Sequence, residues 1–194
     1  MTPTAVLLEN ARREAALDAA RDGYDPWTGA NSPIPRRSVR LLSDREGTVA
    51  LPEEMFDDNG EDRDPDGWFL ALRRAEETGE SVQEVVESTG QAFDEDAFLR
   101  HRCRFDFEYW CAARVVIKDK AERVVPFVLN APQRAAYAER HRLRRTVGLV
   151  RYLELKFRQY GSTTADSWEI VWVITEVHRG QSAYMISLQS GGAA

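Results

Sequence analysis

The sequence predicts an α/β fold: a helical, loop-rich leader followed by the first part of a sheet that carries a phosphate loop. Three observations lead there. Val147 to Leu155 is largely apolar and reads as a strand. Leu155-Lys156-Phe157-Arg158-Gln159-Tyr160-Gly161-Ser162-Thr163-Thr164 is short, basic and hydroxyl-rich. Ala165 to Val173 reads as a helix. Strand, tight loop and helix is the layout in which backbone N–H groups and a helix N-terminus face an anion. The usual spelling is G-x-x-x-x-G-K-[ST]. Gly161 and Thr163 fit its last glycine and its hydroxyl. Ser162 stands where the lysine belongs, and Lys156 where the first glycine belongs.

The chain has 194 residues, enough for one domain or for a core with appendages. Its net charge of −6 hides an asymmetry. Ser43 to Asp96 is strongly acidic, whereas Arg134 to Arg158 gathers Arg134, Arg140, Arg142, Arg144, Arg145, Arg151, Lys156 and Arg158. The acidic half argues against non-specific nucleic-acid binding by the whole chain, and the basic stretch leaves a local anion site open. Two cysteines, Cys103 and Cys111, are too few for a disulfide scaffold and fit a reduced cytoplasm. No apolar run approaches the ~20 residues of a membrane span. Ala5 to Leu8 is too short for a signal peptide, so a cytoplasmic protein is expected.

In order along the chain, Thr4 to Asp22 reads as an amphipathic helix stopped by Gly23. Tyr24 to Arg37 is rich in turn residues, and Val39 to Leu42 reads as a short strand. Leu51 to Asp66 is an acidic loop expected to be solvated. Two short helices follow, Gly67 to Glu77 and Ser81 to Glu87, each ending near a glycine. A longer helix from Asp94 toward Ala113 is predicted by Leu99, Cys103, Phe107, Trp110 and Cys111, at mostly three- and four-residue steps. Val115 to Ile117 and Val124 to Val128 are β-branched and read as short strands. Asn130 or Ala131 opens a helix whose first turn accepts Pro132, and Ala135 to Arg145 is helix-forming. Arg151 to Leu155 is the strand entering the loop, with Tyr184 to Leu188 as a strand beside it. The organisation expected is a leader with an acidic loop over 1–93 and the sheet-bearing part over 94–194.

Several ordered motifs together resemble one family. They are Asp106-Phe107-Glu108-Tyr109-Trp110-Cys111-Ala112, Ile117-Lys118-Asp119-Lys120, Pro126-Phe127-Val128-Leu129-Asn130-Ala131-Pro132-Gln133-Arg134, and the loop from Lys156 to Thr164. In this order they are similar to the N-terminal ATPase region of phage terminase large subunits, which drive DNA into viral capsids. Tyr24 to Gly29 and Leu51 to Met55 are also similar to leader segments of some members. The resemblance implies a P-loop ATPase sheet with a deviant Walker A loop, its lysine at the start. Lys156 would then neutralise the β/γ-phosphates of ATP, and Gly161 would let the backbone approach them. Thr163, with Thr164 as substitute, would hold Mg²⁺, and Ser162 would line the same ATP-binding loop. Arg158 and Gln159 would touch the γ-phosphate or order the loop. Gln133 would read the adenine edge, its amide offering both a donor and an acceptor. In the intact motor the resemblance implies viral DNA, the portal and the small terminase subunit as partners.

The chain also departs from the family. Thirty residues follow Thr164, and no Asp or Glu follows Glu176. A Walker B strand, a catalytic glutamate and the nuclease carboxylates are absent, so the chain is expected to be a truncated, prophage-type fragment that hydrolyses ATP poorly or not at all. Two other readings stand beside this one. One is a non-catalytic interaction module, using the Thr4 to Asp22 helix and the acidic loop; the other is an inert remnant. The remaining polar residues are expected to be structural. His101, Cys103 and Cys111 lack paired zinc-site spacing. His141 and His178 have no nucleophile motif nearby. Asp106, Glu108 and Asp119 are expected to form caps and surface pairs, and the Arg134 to Arg145 helix to present a solvated basic face. Leu99, Phe107, Trp110, Trp168 and Trp172 are expected to pack in the core.

Overall fold

The computed structural model describes residues 22–44, 46–57, 67–119, 121–148 and 162–177. It mixes helices with two small antiparallel sheets. The expected helix over Thr4 to Asp22, most of the acidic loop, the strand and loop from Arg151 to Gly161, and the strand at Tyr184 to Leu188 lie outside the described residues. A parallel P-loop sheet is not among the described strands, which pair as two separate hairpin-like ribbons.

The first ribbon is set up by a tight turn. The Asp25 carboxylate accepts from the Trp27 N–H at 2.8 Å and from the Thr28 hydroxyl at 2.7 Å, and its carbonyl accepts from the Gly29 N–H at 2.7 Å. This is the self-bonding that makes aspartate a turn residue. Gly29 has φ 75°, and a Cβ there would meet the Ala50 carbonyl oxygen at 2.0 Å. Only glycine fits that approach. Strands β1 (Arg36–Val39) and β2 (Val49–Pro52) pair antiparallel, Arg36 opposite Pro52 and Val39 opposite Val49. β1 lies earlier than the expected strand at Val39 to Leu42 and ends at Val39, where Arg40 leaves the ladder to bridge Ser81. The expected loop from Leu51 instead continues β2 and then makes a 3₁₀ turn over Glu53–Phe56, which buries Met55 and Phe56.

Helices α1 (Trp68–Thr78) and α2 (Val82–Ser88) match the two short helices expected. α1 stops at Gly79, φ 75°. α2 opens with a capping box: the Ser81 hydroxyl accepts from the Glu84 N–H, and the Glu84 carboxylate accepts from the Ser81 N–H. The long helix expected from Asp94 is corrected. It is two helices, α3 (Glu95–Phe105) and α4 (Phe107–Arg114), broken at Asp106. Asp106 caps the end of α3 through its backbone and the start of α4 through its side chain, which accepts from the Tyr109 N–H at 3.1 Å. A cap side chain in mid-pattern competes with helix continuation.

Strands β3 (Val116–Lys118) and β4 (Val124–Pro126) form the second antiparallel ribbon, at the apolar runs expected. Asn130 then caps α5 (Ala131–Val147), with proline in the first turn and Gly148 at the end. α6 (Ser162–Trp172) begins directly after Gly161 and leads into a π-helical turn over Val173–Val177. Two apolar clusters form. The first joins Val39, Leu51, Met55, Phe56, Trp68, Leu72, Val82, Val85, Phe98 and Phe105. The second joins Ile34, Cys103, Phe107, Trp110, Cys111, Leu129, Tyr137, Ala165 and Trp172, with Trp168 against it.

Candidate functional site

The sequence-derived site residues fall on two helices and the segment between them. Gln133 is the third residue of α5 and is buried. Its side-chain oxygen accepts from the Asn130 N–H at 2.9 Å, while the Asn130 side chain accepts from the Gln133 N–H at 3.0 Å. The amide is thereby held by the helix cap. Lys156, Arg158, Gln159 and Gly161 lie outside the described residues. Ser162, Thr163 and Thr164 supply the first turn of α6, where helix N–H groups lack intrahelical partners. The Thr164 side chain there is exposed.

α5 and α6 are joined by buried charge. Arg140 donates from Nε to Glu169 at 2.8 Å, and its Nη2 lies 2.6 Å from the same carboxylate and 3.2 Å from Asp166. Arg144 pairs with the other Glu169 oxygen. On its other flank, α5 meets the turn at Glu53–Phe56. His141 Nε2 is 2.7 Å from Glu54, and Arg145 is 2.9 Å from Glu53. Burial works to raise the Glu54 carboxyl, but its hydrogen bond to His141 and that residue's charge hold it below its ordinary value. Nearer the helix start, Arg134 pairs with Asp22, donates to the Leu129 carbonyl at 2.9 Å, and covers the Tyr24 ring at 3.9 Å. The expected solvated basic face is therefore corrected. Arg134, Arg140 and His141 are buried, and each faces a carboxylate of another segment.

A second polar cluster was not foreseen. Asp106 and Glu108, expected at surface pairs, are buried and share Arg36. Arg36 donates to Asp106 at 2.8 and 2.9 Å, to Glu108 at 2.7 Å and to the Ala50 carbonyl at 3.0 Å. Arg102 donates to Asp106 at 2.9 Å and to the Trp27 carbonyl at 2.8 Å, and the Ser32 hydroxyl donates to Glu108. Burial alone would raise Asp106, but the Arg36 and Arg102 guanidiniums hold it down to about 2. Glu108 moves the other way. Burial raises it, and the Asp106 charge adds to that against the pull of Arg36. The network ties the Pro26–Ser32 turn and β1 to the α3–α4 corner. Arg36 Nε and one Glu108 oxygen have no hydrogen-bond partner, but the shared guanidinium–carboxylate bonds make the cluster a structural joint. Asp119, by contrast, caps its own turn as expected, accepting from the N–H groups of Ala121 and Arg123.

Cys103 and Cys111 are buried free thiols, and burial raises both. Among the described residues, no group of three or more His, Cys, Asp or Glu is placed to hold a metal ion, and no helix is long and apolar enough to cross a membrane. No family model, curated protein or solved structure matches the chain.

Proposed function

We propose that this chain is the ATP-binding portion of a phage terminase large subunit, the motor that packages viral DNA. The observation that carries the reading is the order of the motifs, from Asp106 to Ala112 through Pro126 to Arg134 to the Lys156 to Thr164 loop. Support also comes from the helices. α6 begins at Ser162, immediately after the loop, and a buried ion-pair cluster fastens it to α5, whose first turn holds Gln133.

In this reading ATP lies between Gln133 and the loop. The Gln133 amide meets the adenine edge. Lys156 offsets phosphate charge, Gly161 lets the backbone N–H groups come close, and Arg158 and Gln159 order the γ-phosphate end. A threonine hydroxyl is the hard oxygen donor that Mg²⁺ takes beside phosphate oxygens, so Thr163 fits that ion, with Ser162 and Thr164 beside it. Bound Mg²⁺ would neutralise charge on the phosphates. Viral DNA, the portal and the small subunit are the partners of the motor.

Calorimetric titration with ATP in the presence of Mg²⁺ tests the reading. One site is expected, weakened at least ~10-fold by Lys156→Ala, about the 1.4 kcal/mol that a factor of ten represents. Arg142→Ala, which alters an exposed pair with Glu139, should leave it unchanged. Absence of ATP binding, or binding indifferent to Lys156→Ala, contradicts the proposal.

A further inference from the structure

The ribbon of β3 and β4 has two strands, and among the described residues no third strand pairs with either edge. The register decides which backbone groups those edges present. The Phe127 N–H donates to the Val115 carbonyl at 2.9 Å, and the Asp119 N–H to the Arg123 carbonyl at 2.9 Å. Hydrogen-bonded and non-bonded pairs alternate along an antiparallel ladder. Ile117 and Val125, opposite each other between those two bonds, therefore turn their backbone groups inward. The N–H and C=O groups of Val116 and Lys118 point outward from β3, and the backbone of Val124 and Pro126 points outward from β4. Proline has no N–H to offer, and the Pro126 carbonyl already accepts from the Val128 N–H at 3.2 Å. The β4 edge is closed by its own sequence. The β3 edge is open.

Val116, Lys118 and Val124 share one face of the ribbon. Val116 is 55% and Val124 49% exposed. Ile117, on the other face, packs against the second apolar cluster, so the ribbon is anchored on one face and bare on the other. Exposed β-branched side chains beside unpaired backbone groups are what an added strand covers. Charge selects that strand. Arg114 and Lys118 stand two residues to either side of Val116, and both are exposed. Lys118 pairs with Glu122 at 3.0 Å, but both side chains are well exposed, and such a pair is worth little. A second copy pairing antiparallel through the same edge brings cations together. Centred on Val116, it sets Lys118 opposite Arg114 of the other copy; centred on Ile117, it sets the two Lys118 side chains diagonally on one face. Like charges across strands destabilise the pairing, and an edge lysine guards against it.

We propose that the β3 edge is a docking site for an extended segment of another protein, which joins the ribbon as a third strand. The segment carries an apolar residue opposite Val116 and carboxylates opposite Arg114 and Lys118. Its backbone bonds the outward N–H and C=O groups of Val116 and Lys118, which supplies affinity. The carboxylates supply the choice of partner over a second copy of this chain.

The test is NMR titration of the nitrogen-15-labelled full chain with a capped pentapeptide of glutamate, threonine, valine, threonine and glutamate. This order places both glutamates and the valine on the face of Val116 and Lys118. The Val116 and Lys118 amides should shift most. A peptide with lysine in place of both glutamates should bind more weakly, and so should the parent peptide N-methylated at its valine, which keeps every side chain but loses the bond to the Val116 carbonyl. Lys118→Glu, at an exposed position, should weaken the acidic peptide roughly two- to fivefold and favour the lysine peptide. Shifts confined to other segments, no shift at millimolar peptide, or equal binding of the acidic and lysine peptides overturns the proposal. So does undiminished binding of the N-methylated peptide, an arm that needs only wild-type protein should Lys118→Glu not fold. Shifts of the Val116 and Lys118 amides that follow protein concentration without peptide would assign the edge to a second copy and overturn it too.

Discussion

Asp106→Asn should cost much more stability than Glu108→Gln, although both carboxylates are buried and both hold Arg36. Asp106 accepts from both Arg36 Nη atoms, from Arg102 and from the Tyr109 N–H, all within 3.1 Å. Asparagine keeps one acceptor oxygen, turns an NH₂ toward a guanidinium, leaves Arg36 with Glu108 as its carboxylate and leaves Arg102 with the Pro26 and Trp27 carbonyls. Removing one partner of a buried pair costs about 3–5 kcal/mol. The acid–base route gives a similar size. A carboxyl held at about 2 instead of its ordinary 3.8 contributes roughly 2–3 kcal/mol at neutral pH. Because the folded value is depressed, that contribution is present above the unfolded value and fades as pH falls toward the folded one. Glu108 has the opposite sign. Its value is raised, first by burial and then by Asp106, so its contribution is fullest below its unfolded value and is lost as pH rises. Glutamine removes that cost and keeps an acceptor for Ser32 and Arg36. Urea denaturation at neutral pH should give a loss of about 3 kcal/mol or more for Asp106→Asn and about 1 or less for Glu108→Gln. In melts the first is roughly 6–12 °C for a chain this long. Near the folded value of Asp106 the gap between the variants should shrink. Equal losses at neutral pH, or the reverse order, refute the reasoning.

Other outcomes follow from single contacts. Gly29→Ala places a methyl 2.0 Å from the Ala50 oxygen at φ 75°, so about 2–5 kcal/mol should be lost, read as a shifted urea midpoint. Glu54→Gln removes a carboxylate depressed chiefly by its bond to His141 over the opposing effect of burial. Stability present above the ordinary glutamate value is lost as pH falls, so the variant's melting temperature should depend less on pH on the acid side than that of wild type. A variant curve parallel to wild type would deny the pair that role.

Much of the fold was legible because its signals are local. Asn130, Pro132 and Gln133 mark the start of α5, Ser81 and Glu84 the start of α2, and Gly79 the end of α1, and each works within one helical turn. The break at Asp106 was harder to see. Apolar spacing carries on through it, and only the cap geometry distinguishes two helices from one. The buried carboxylates were illegible for another reason. Asp106 meets Arg36 across seventy residues of sequence, and no local pattern reports such a partner. The basic stretch misled in the same way, since Arg140 finds Glu169 and His141 finds Glu54 only after the chain has folded back. A charge pattern gives the residues available for pairing, and tertiary contact decides which remain for a ligand.

The most direct test of the central claim is photolabelling with 8-azido-ATP and mapping of the labelled peptide by mass spectrometry. The account predicts label on the peptides holding Gln133 or Lys156 to Thr164, competed by ATP and reduced by Lys156→Ala. Label confined to other segments, or none that ATP competes away, would contradict it.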